Sequence, residues 1–199
     1  MVTRQDITNI IQDAYGIAKV HGFHDCYHSS AHYMMLVLSE IGEMVEADRK
    51  NRRARVHDFQ YITSLTTVKP DAVNHYFEKM IKDTMEDEMA DVVIRLCDFC
   101  GSLDIVPYMA DTMVDMSKEF NEFWGDKSVC EQCFFLSAMI VDIQSASYDA
   151  DDTEMRKCLG STLSFIFEMA NYHGIDLLWH VERKMEYDKT RPALHGKAY

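Results

Sequence analysis

Residues that interrupt helices are scarce in this sequence: only eight Gly and three Pro occur among 199 residues. Turns are therefore few, and long helices are possible. The hydrophobic fraction of 47% is enough for a real core, in one domain or in two small packed halves. The 14 Met residues fit helical cores that pack adaptably.

Positive charge is also in short supply, and the formal net charge is −13. Such a chain is not generally attracted to nucleic acid or to an anionic membrane, so handling a polyanion would require a metal ion or a local basic patch. The start "MVTRQDITNI" lacks the pattern of a secretory signal, and no run reaches the roughly 18 apolar residues that a membrane span needs. We expect a cytoplasmic protein that binds neither nucleic acid nor membrane.

The six Cys residues are expected to be reduced thiols. Two spacings, Cys97-x-x-Cys100 and Cys130-x-x-Cys133, leave zinc binding as an alternative. Both pairs lie in helical patterns without a Gly-containing knuckle turn to aim the sulfur atoms, which favours small core residues over a zinc site.

The hydrophobic pattern is helical throughout and predicts an all-α helical bundle. Thr3 with Asp6 makes a capping box, and the stretch 51–69 shows no sustained period and is predicted to be a loop. The other predicted caps are Ser29 or Ser30, Asp104, Asp151 or Asp152, and Asp176. The predicted helices span about 3–19, 30–51, 70–101, 104–125, 129–147, 151–174 and 176–188.

A weak internal repeat divides the chain. "DFCGSLDI" near residue 100 resembles "NYHGIDLL" near residue 172, and "VLSEIGEMVEAD" aligns with "MIVDIQSASYDA". We predict two related helical halves, 1–126 and 127–199, packed as one pseudo-twofold bundle.

Two acidic pairs border apolar helix faces: Glu40 with Glu43, and Glu88 with Asp91. If their helices pack antiparallel, four carboxylates converge, and each pair of charges about 4 Å apart repels by about 4 kcal/mol at an effective dielectric constant near 20. A divalent cation removes this cost. Oxygen ligands favour Mg²⁺ or Mn²⁺, and Mg²⁺ in turn favours a phosphate-bearing substrate.

Two alternatives stay open at this point. The acidic pairs can be solvated positions on amphipathic helices. The ligand set can also draw on neighbouring carboxylates, since Asp83, Glu86 and Asp87 lie close by in the sequence.

A family resemblance follows from these motifs. "SEIGEMVEADRK" followed by "KDTMEDEMADVVIRLCDFCG" resembles the MazG-like all-α NTP pyrophosphohydrolases. In that family Glu-x-x-Glu on one helix and Glu-x-x-Asp on the next coordinate Mg²⁺, which implies the ligands Glu40, Glu43, Glu88 and Asp91. "HGFHDCYHSSAHYMML" and "HVERKMEYDKTRPALHGKAY" are similar to the segments before the first motif and at the family's C-terminus, with His24 where Trp is common and Asp188 where Asn is common.

The second half departs from the family motif. Asp142 and Ser145 stand near the places of the first acidic pair, and Gly160 and Leu163 stand near those of the second. The resemblance therefore implies one active and one degenerate half, similar to the dimeric dUTPases, as a homodimer or an internal pseudo-dimer.

The implied reaction converts a nucleoside triphosphate to the monophosphate and pyrophosphate, with Glu40 or Glu43 as the base that activates water. Arg95 is a candidate phosphate ligand, with an intrahelical pair to Asp91 or Asp98 as the alternative. The other candidates for phosphate contacts are Lys82, Lys184, Tyr187, Arg191, His195 and Lys197. Candidates for a base slot, for which simple helix packing is the alternative, are Phe23, His24, Tyr27 and Tyr33. A non-catalytic helical module that binds nucleotide or protein remains the competing function.

Overall fold

A computed structural model describes residues 2–65, 69–109 and 117–196, apart from the side chains of 70, 71, 117–119 and 195. These ranges contain nine α-helices and no strand, which confirms the predicted all-α class. The helices are α1 (Arg4–Val20), α2 (Ser30–Arg49), α3 (Val56–Ser64), α4 (Pro70–Met80), α5 (Met85–Ser102), α6 (Ser117–Trp124), α7 (Val129–Tyr148), α8 (Asp152–Tyr172) and α9 (Leu177–Asp188). A 3₁₀ turn, Ala193–Gly196, follows α9.

Four helices begin at the predicted caps. Thr3 and Asp6 form the expected capping box, in which the Asp6 carboxylate accepts from the Thr3 backbone N–H at 2.8 Å. Ser29 caps α2, Asp151 caps α8 and Asp176 caps α9. A side-chain cap stabilises a helix by about 1 kcal/mol, because it satisfies a backbone donor that has no partner within the helix.

The segment predicted as a loop is partly wrong, since residues 56–64 form α3. Its apolar face is short: Phe59 is the buried residue, packed edge-to-face on Phe77 of α4, and Val56 packs partly buried on the same cluster. Two such positions are too few to make a sustained period in the sequence.

The single helix predicted over 70–101 is also wrong, because α4 ends at Met80 and α5 begins at Met85. Asp83 adopts a left-handed φ of 59°, and Thr84 caps α5 by accepting from the Asp87 N–H. The break places Glu88 in the first turn of α5.

Asp104 does not cap a helix, contrary to the prediction. Its φ is 52°, and residues 105–109 after it are not helical. The next part of that predicted helix, 110–116, lies outside the described residues. Helix α6 ends at Trp124, next to the predicted stop at Gly125.

The central element is α5, which packs against α1, α2, α8 and α9. Most of its side chains are buried, including those of Glu86, Asp87 and Glu88. One apolar core joins α1, α2, α5, α7, α8 and α9, and a second small cluster joins α3 and α4 to α9. Surrounding α5 with helices in this way buries its carboxylates, which sets up the site.

Among the described residues, α7 is long and apolar enough to cross a membrane by length and composition alone. The expectation concerned uninterrupted apolar runs, and Glu131 and Asp142 interrupt the apolar residues of this helix. Core helices pass the same test, and Leu136, Ile140 and Ile143 of α7 are completely buried in the protein.

Candidate active site

A cavity of about 650 Å³ lies between α1, α2, α5 and α9. Carboxylates and cations of all the predicted motifs meet there, although they lie up to 151 positions apart, from Glu40 to Arg191. The charged residues that line the cavity are Glu40, Glu43, Lys82, Asp83, Glu88, Asp91, Arg95, Asp98, Lys184, Asp188 and Arg191. The cavity therefore unites an acidic centre with several positive groups.

Three glutamates form the acidic centre. One carboxylate oxygen from each of Glu40, Glu43 and Glu88 lies within 4.8 Å of the other two. Oxygen ligands about 2.1 Å from one Mg²⁺ are at most about 4.2 Å apart, so side-chain shifts below about 1 Å would bring all three onto a single ion. A set of three carboxylates is also the donor chemistry that Mg²⁺ and Mn²⁺ prefer, and the residues fit such an ion.

Glu88 carries the largest electrostatic cost in this centre. Its side chain is almost completely buried, and no basic group of the described chain lies within ion-pairing distance of it. Burial, reinforced by Asp91 and Asp87, raises the pKa of Glu88 to about 9. Burial and Asp91 also raise the pKa of Glu40. Glu88 thus needs a proton or a bound cation to be stable where it is.

Arg95 pairs with Glu40 rather than with Asp91 or Asp98 of its own helix. Its Nε donates to Glu40 Oε1 at 2.5 Å and links α5 to α2. Burial alone would lower the pKa of Arg95, but Glu40 and Asp91 outweigh it and raise the pKa. Arg95 therefore stays charged, orients Glu40 and still lines the cavity.

Asp91, the predicted fourth metal ligand, lies beside the three glutamates but has a cation already. Lys184 of α9 donates to Asp91 Oδ2 at 2.7 Å and to Asp87 Oδ2 at 3.0 Å. The Lys184 side chain is only 5% exposed. Among the described residues, three carboxylates group closely enough to share an ion, and Asp91 lies next to them.

The alternative ligands have other partners. Glu86 accepts from the Ala54 backbone N–H at 3.0 Å and so fixes the segment before α3. Asp87 accepts from Lys184 and from the Asp83 N–H at 3.1 Å. Asp83 itself pairs with Lys82 at the cavity wall.

The predicted phosphate ligands are mostly brought together. Lys82, Arg95, Lys184 and Arg191 all line the cavity. Tyr187 is not among the lining residues: its ring stacks on Phe77 at 4.7 Å and its hydroxyl donates to Glu78 at 2.9 Å. Lys197 and the side chain of His195 lie outside the described part of the chain.

An aromatic end of the cavity lies near the turn after α1. Phe23 and Tyr33 line it, as predicted for a base slot. His24 is one layer away, where its Nε2 lies 2.7 Å from Asp98 Oδ1 and its Nδ1 lies 3.1 Å from the Tyr33 hydroxyl. Tyr27 is 91% exposed and does not line the cavity.

Several cavity residues were missed in the sequence. His28 and His32 line the aromatic end with stacked rings 4.1 Å apart, and Asp98 and Asp188 add carboxylates. Asp98 carried a signal, since it lies seven positions after Asp91 and so on the same face of α5. Asp188 also carried a signal, since it stands where Asn is common in the C-terminal segment that resembles the MazG-like family, whereas His28 and His32 carried none that separates them from ordinary surface residues.

No protein-family model, no curated protein and no solved structure matches this chain. The resemblance to the MazG-like family thus stays a prediction from its motifs.

Proposed function

We propose that this protein is a Mg²⁺-dependent nucleoside triphosphate pyrophosphohydrolase, which converts a (d)NTP and water to the (d)NMP and pyrophosphate. One observation carries the proposal: three glutamates that fit a divalent cation share a single cavity with Lys82, Arg95 and Arg191. A cavity of about 650 Å³ lies in the range of roughly 300–1,000 Å³ that small-molecule sites occupy. A metal bound beside several cations suits a substrate that carries multiple phosphate charges.

The positions of the cavity residues assign each of them a role in the proposed reaction. Mg²⁺, when bound, supplies charge neutralisation at the phosphoryl oxygens. Glu43 is exposed, whereas Glu40 is buried and paired with Arg95, so Glu43 is better placed than Glu40 to accept the proton of the attacking water. Lys82, Arg95 and Arg191 bind the remaining phosphate charge, while Phe23 packs against the base.

The proposal extends to the chain as a whole. We infer that residues 1–126 are a MazG-like catalytic half and that 127–199 are a degenerate half, joined in a pseudo-twofold arrangement. Helices α7 and α8 pack against each other, and so do α2 and α5, which supports this inference. In α8, Leu163 is completely buried and Gly160 lies against the Tyr108 backbone, so neither place offers a ligand. A cytoplasmic location and a homodimer or internal pseudo-dimer belong to the same proposal.

The test is a panel of NTPs and dNTPs with Mg²⁺, in which released pyrophosphate and orthophosphate are measured separately. We expect pyrophosphate from at least one nucleotide, and a loss of 100-fold or more in kcat for Glu88→Gln. Glu46→Gln is the control, because Glu46 is also a helical glutamate but is half-exposed and, in the described structure, pairs with the surface cations Arg49 and Lys50. Binding of nucleotides without turnover of any of them would favour the competing function, a non-catalytic nucleotide-binding module. Full activity of Glu88→Gln would contradict the assignment of the active site to these glutamates.

A further inference from the structure

His21 joins the end of α1 to the chain after α9. The side chain is buried, and both ring nitrogens lie against backbone carbonyl oxygens: Nδ1 is 2.8 Å from Ile17 O, and Nε2 is 3.0 Å from Arg191 O. In return, the His21 carbonyl accepts from the Leu194 N–H at 2.8 Å. One residue thus holds two points of the tail, residues 189–196.

Two further features show that the tail is held closely at this point. Leu194 has a left-handed φ of 51°, a conformation that costs a Leu about 1 kcal/mol and persists only where its surroundings fix it. Gly22, with φ of 84°, lies beside the tail: a Cβ there would come within 3.9 Å of Leu194 Cδ2 and 3.1 Å of Asp25 Oδ2. The turn after α1 and the tail are therefore fitted to each other.

The held segment carries a cation of the cavity. Arg191 lines the cavity, and its guanidinium donates to Asp188 at 3.3 Å and lies 5.8 Å from the centre of the Tyr187 ring. Its own carbonyl is the group that His21 Nε2 contacts. The bond therefore acts at the residue whose side chain reaches the site, 170 positions away from His21.

We propose that His21 is a positioning residue: its Nε2–H donates to the Arg191 carbonyl, docks the tail and holds the Arg191 guanidinium at the cavity. The docking of the tail is inferred from the geometry alone. The effect of docking on the affinity for phosphate groups rests on the proposed function. His21 does not touch the cavity itself, so it acts through Arg191.

Two isosteric substitutions separate docking from a role in ending α1. In His21→Gln the amide nitrogen replaces Nε2 and still reaches the Arg191 carbonyl, whereas in His21→Asn it replaces Nδ1 and reaches only Ile17. The first readout is backbone amide exchange of residues 189–196, with Leu194 as the reporter. We expect exchange about tenfold faster in His21→Asn than in the natural protein, and within about twofold of it in His21→Gln.

The second readout is the affinity for inorganic tripolyphosphate with Mg²⁺, measured by titration calorimetry. We expect His21→Asn to weaken binding about tenfold, His21→Gln to leave it within about twofold, and His21→Asn to add nothing further in the Arg191→Ala background. In turnover assays the same loss should raise KM and leave kcat within about twofold.

The outcomes separate the two proposals. Equal tail exchange in the Asn and Gln variants, at equal melting temperatures, would overturn docking through Nε2. If His21→Asn unfolds the protein, His21→Gln provides the test, since amide exchange of the tail that is faster in His21→Gln than in the natural protein would also overturn docking through Nε2. Faster exchange in the Asn variant alone supports docking even where tripolyphosphate does not bind to the natural protein, a result that would count against the pyrophosphohydrolase instead.

Discussion

Lys184→Met should destabilise the fold far more than the loss of a surface lysine. The Lys184 ammonium is the cation of both Asp87 and Asp91, and Met keeps an apolar chain of similar length while it removes the charge. Removing one partner of a buried ion pair costs about 3–5 kcal/mol. Asp87 is 1% exposed and its Oδ1 has no hydrogen-bond partner in the described structure, so it depends on Lys184.

Two features keep the expected loss near the lower end of that range. Asp87 keeps one hydrogen bond, from the Asp83 N–H at 3.1 Å. The Asp91 side chain is 19% exposed, so water reaches it in part. We therefore expect the free energy of unfolding at pH 7 to fall by about 3 kcal/mol.

The control is Lys157→Met. Lys157 lies 3.1 Å from Glu154, and both side chains are more than half exposed, at 58% and 52%. Exposed pairs of this kind contribute less than about 1 kcal/mol. Urea unfolding of the two variants, followed by far-UV circular dichroism, measures the difference. Losses that agree within about 0.5 kcal/mol would refute the view that Lys184 is the buried counter-ion of α5.

Three further predictions concern pH, packing and Arg95. Burial lowers the pKa of His180 to about 4, so the unfolded chain takes up this proton first, and the contribution of His180 to the free energy of unfolding falls by about 2 kcal/mol from pH 7 to pH 5. Because Glu88, whose pKa is raised, contributes with the opposite sign, the effect is measured as a difference: in urea unfolding His180→Leu should lack this loss relative to the natural protein, whereas exposed His75→Leu should keep it. A Cβ at Gly160 would lie 2.1 Å from the Tyr108 carbonyl oxygen, so Gly160→Ala should lower the free energy of unfolding by about 2 kcal/mol or more. Gly16 has open space around it, so Gly16→Ala should raise the free energy of unfolding by about 0.5–1 kcal/mol. Equal melting temperatures of the two variants would contradict this prediction. Arg95→Met should lower kcat at least tenfold, because Glu40 loses its partner at 2.5 Å; unchanged kcat and KM would make Arg95 a purely structural residue.

The helix starts could be predicted because capping is local. Thr3, Ser29, Asp151 and Asp176 each bond to a backbone N–H within three positions, and such bonds depend on no distant contact. The helical class likewise follows from periodicity along the chain.

The break before α5 was missed although Thr84 gives it one local signal, a cap on the Asp87 N–H, because the other contacts that hold it are distant. The Met85 N–H donates to the Arg52 carbonyl at 3.3 Å, and Glu86 accepts from the Ala54 N–H at 3.0 Å. These bonds compete with continuation of the helix from α4. These two hydrogen bonds join segments more than 30 positions apart, so no local sequence pattern predicts them.

The candidate site likewise contains a part that local patterns predict and a part that depends on distant packing. Helical faces predicted that Glu40, Glu43 and Glu88 would meet, since two amphipathic helices pack by their apolar edges. The pairing of Asp91 with Lys184 depends on where α9 lies against α5, which periodicity does not give. For the same reason Tyr187 was assigned to the site although its ring faces Phe77.

The central claim is that Glu40, Glu43 and Glu88 hold a divalent cation, and titration with Mn²⁺ under electron paramagnetic resonance tests it most directly. The account predicts saturable loss of the free Mn²⁺ signal with at least one ion per chain, competition by Mg²⁺, and affinity at least tenfold weaker in Glu88→Gln but unchanged in Glu46→Gln. Mn²⁺ binding that is equally strong in Glu88→Gln and the natural protein, or no saturable binding at all, would contradict the claim.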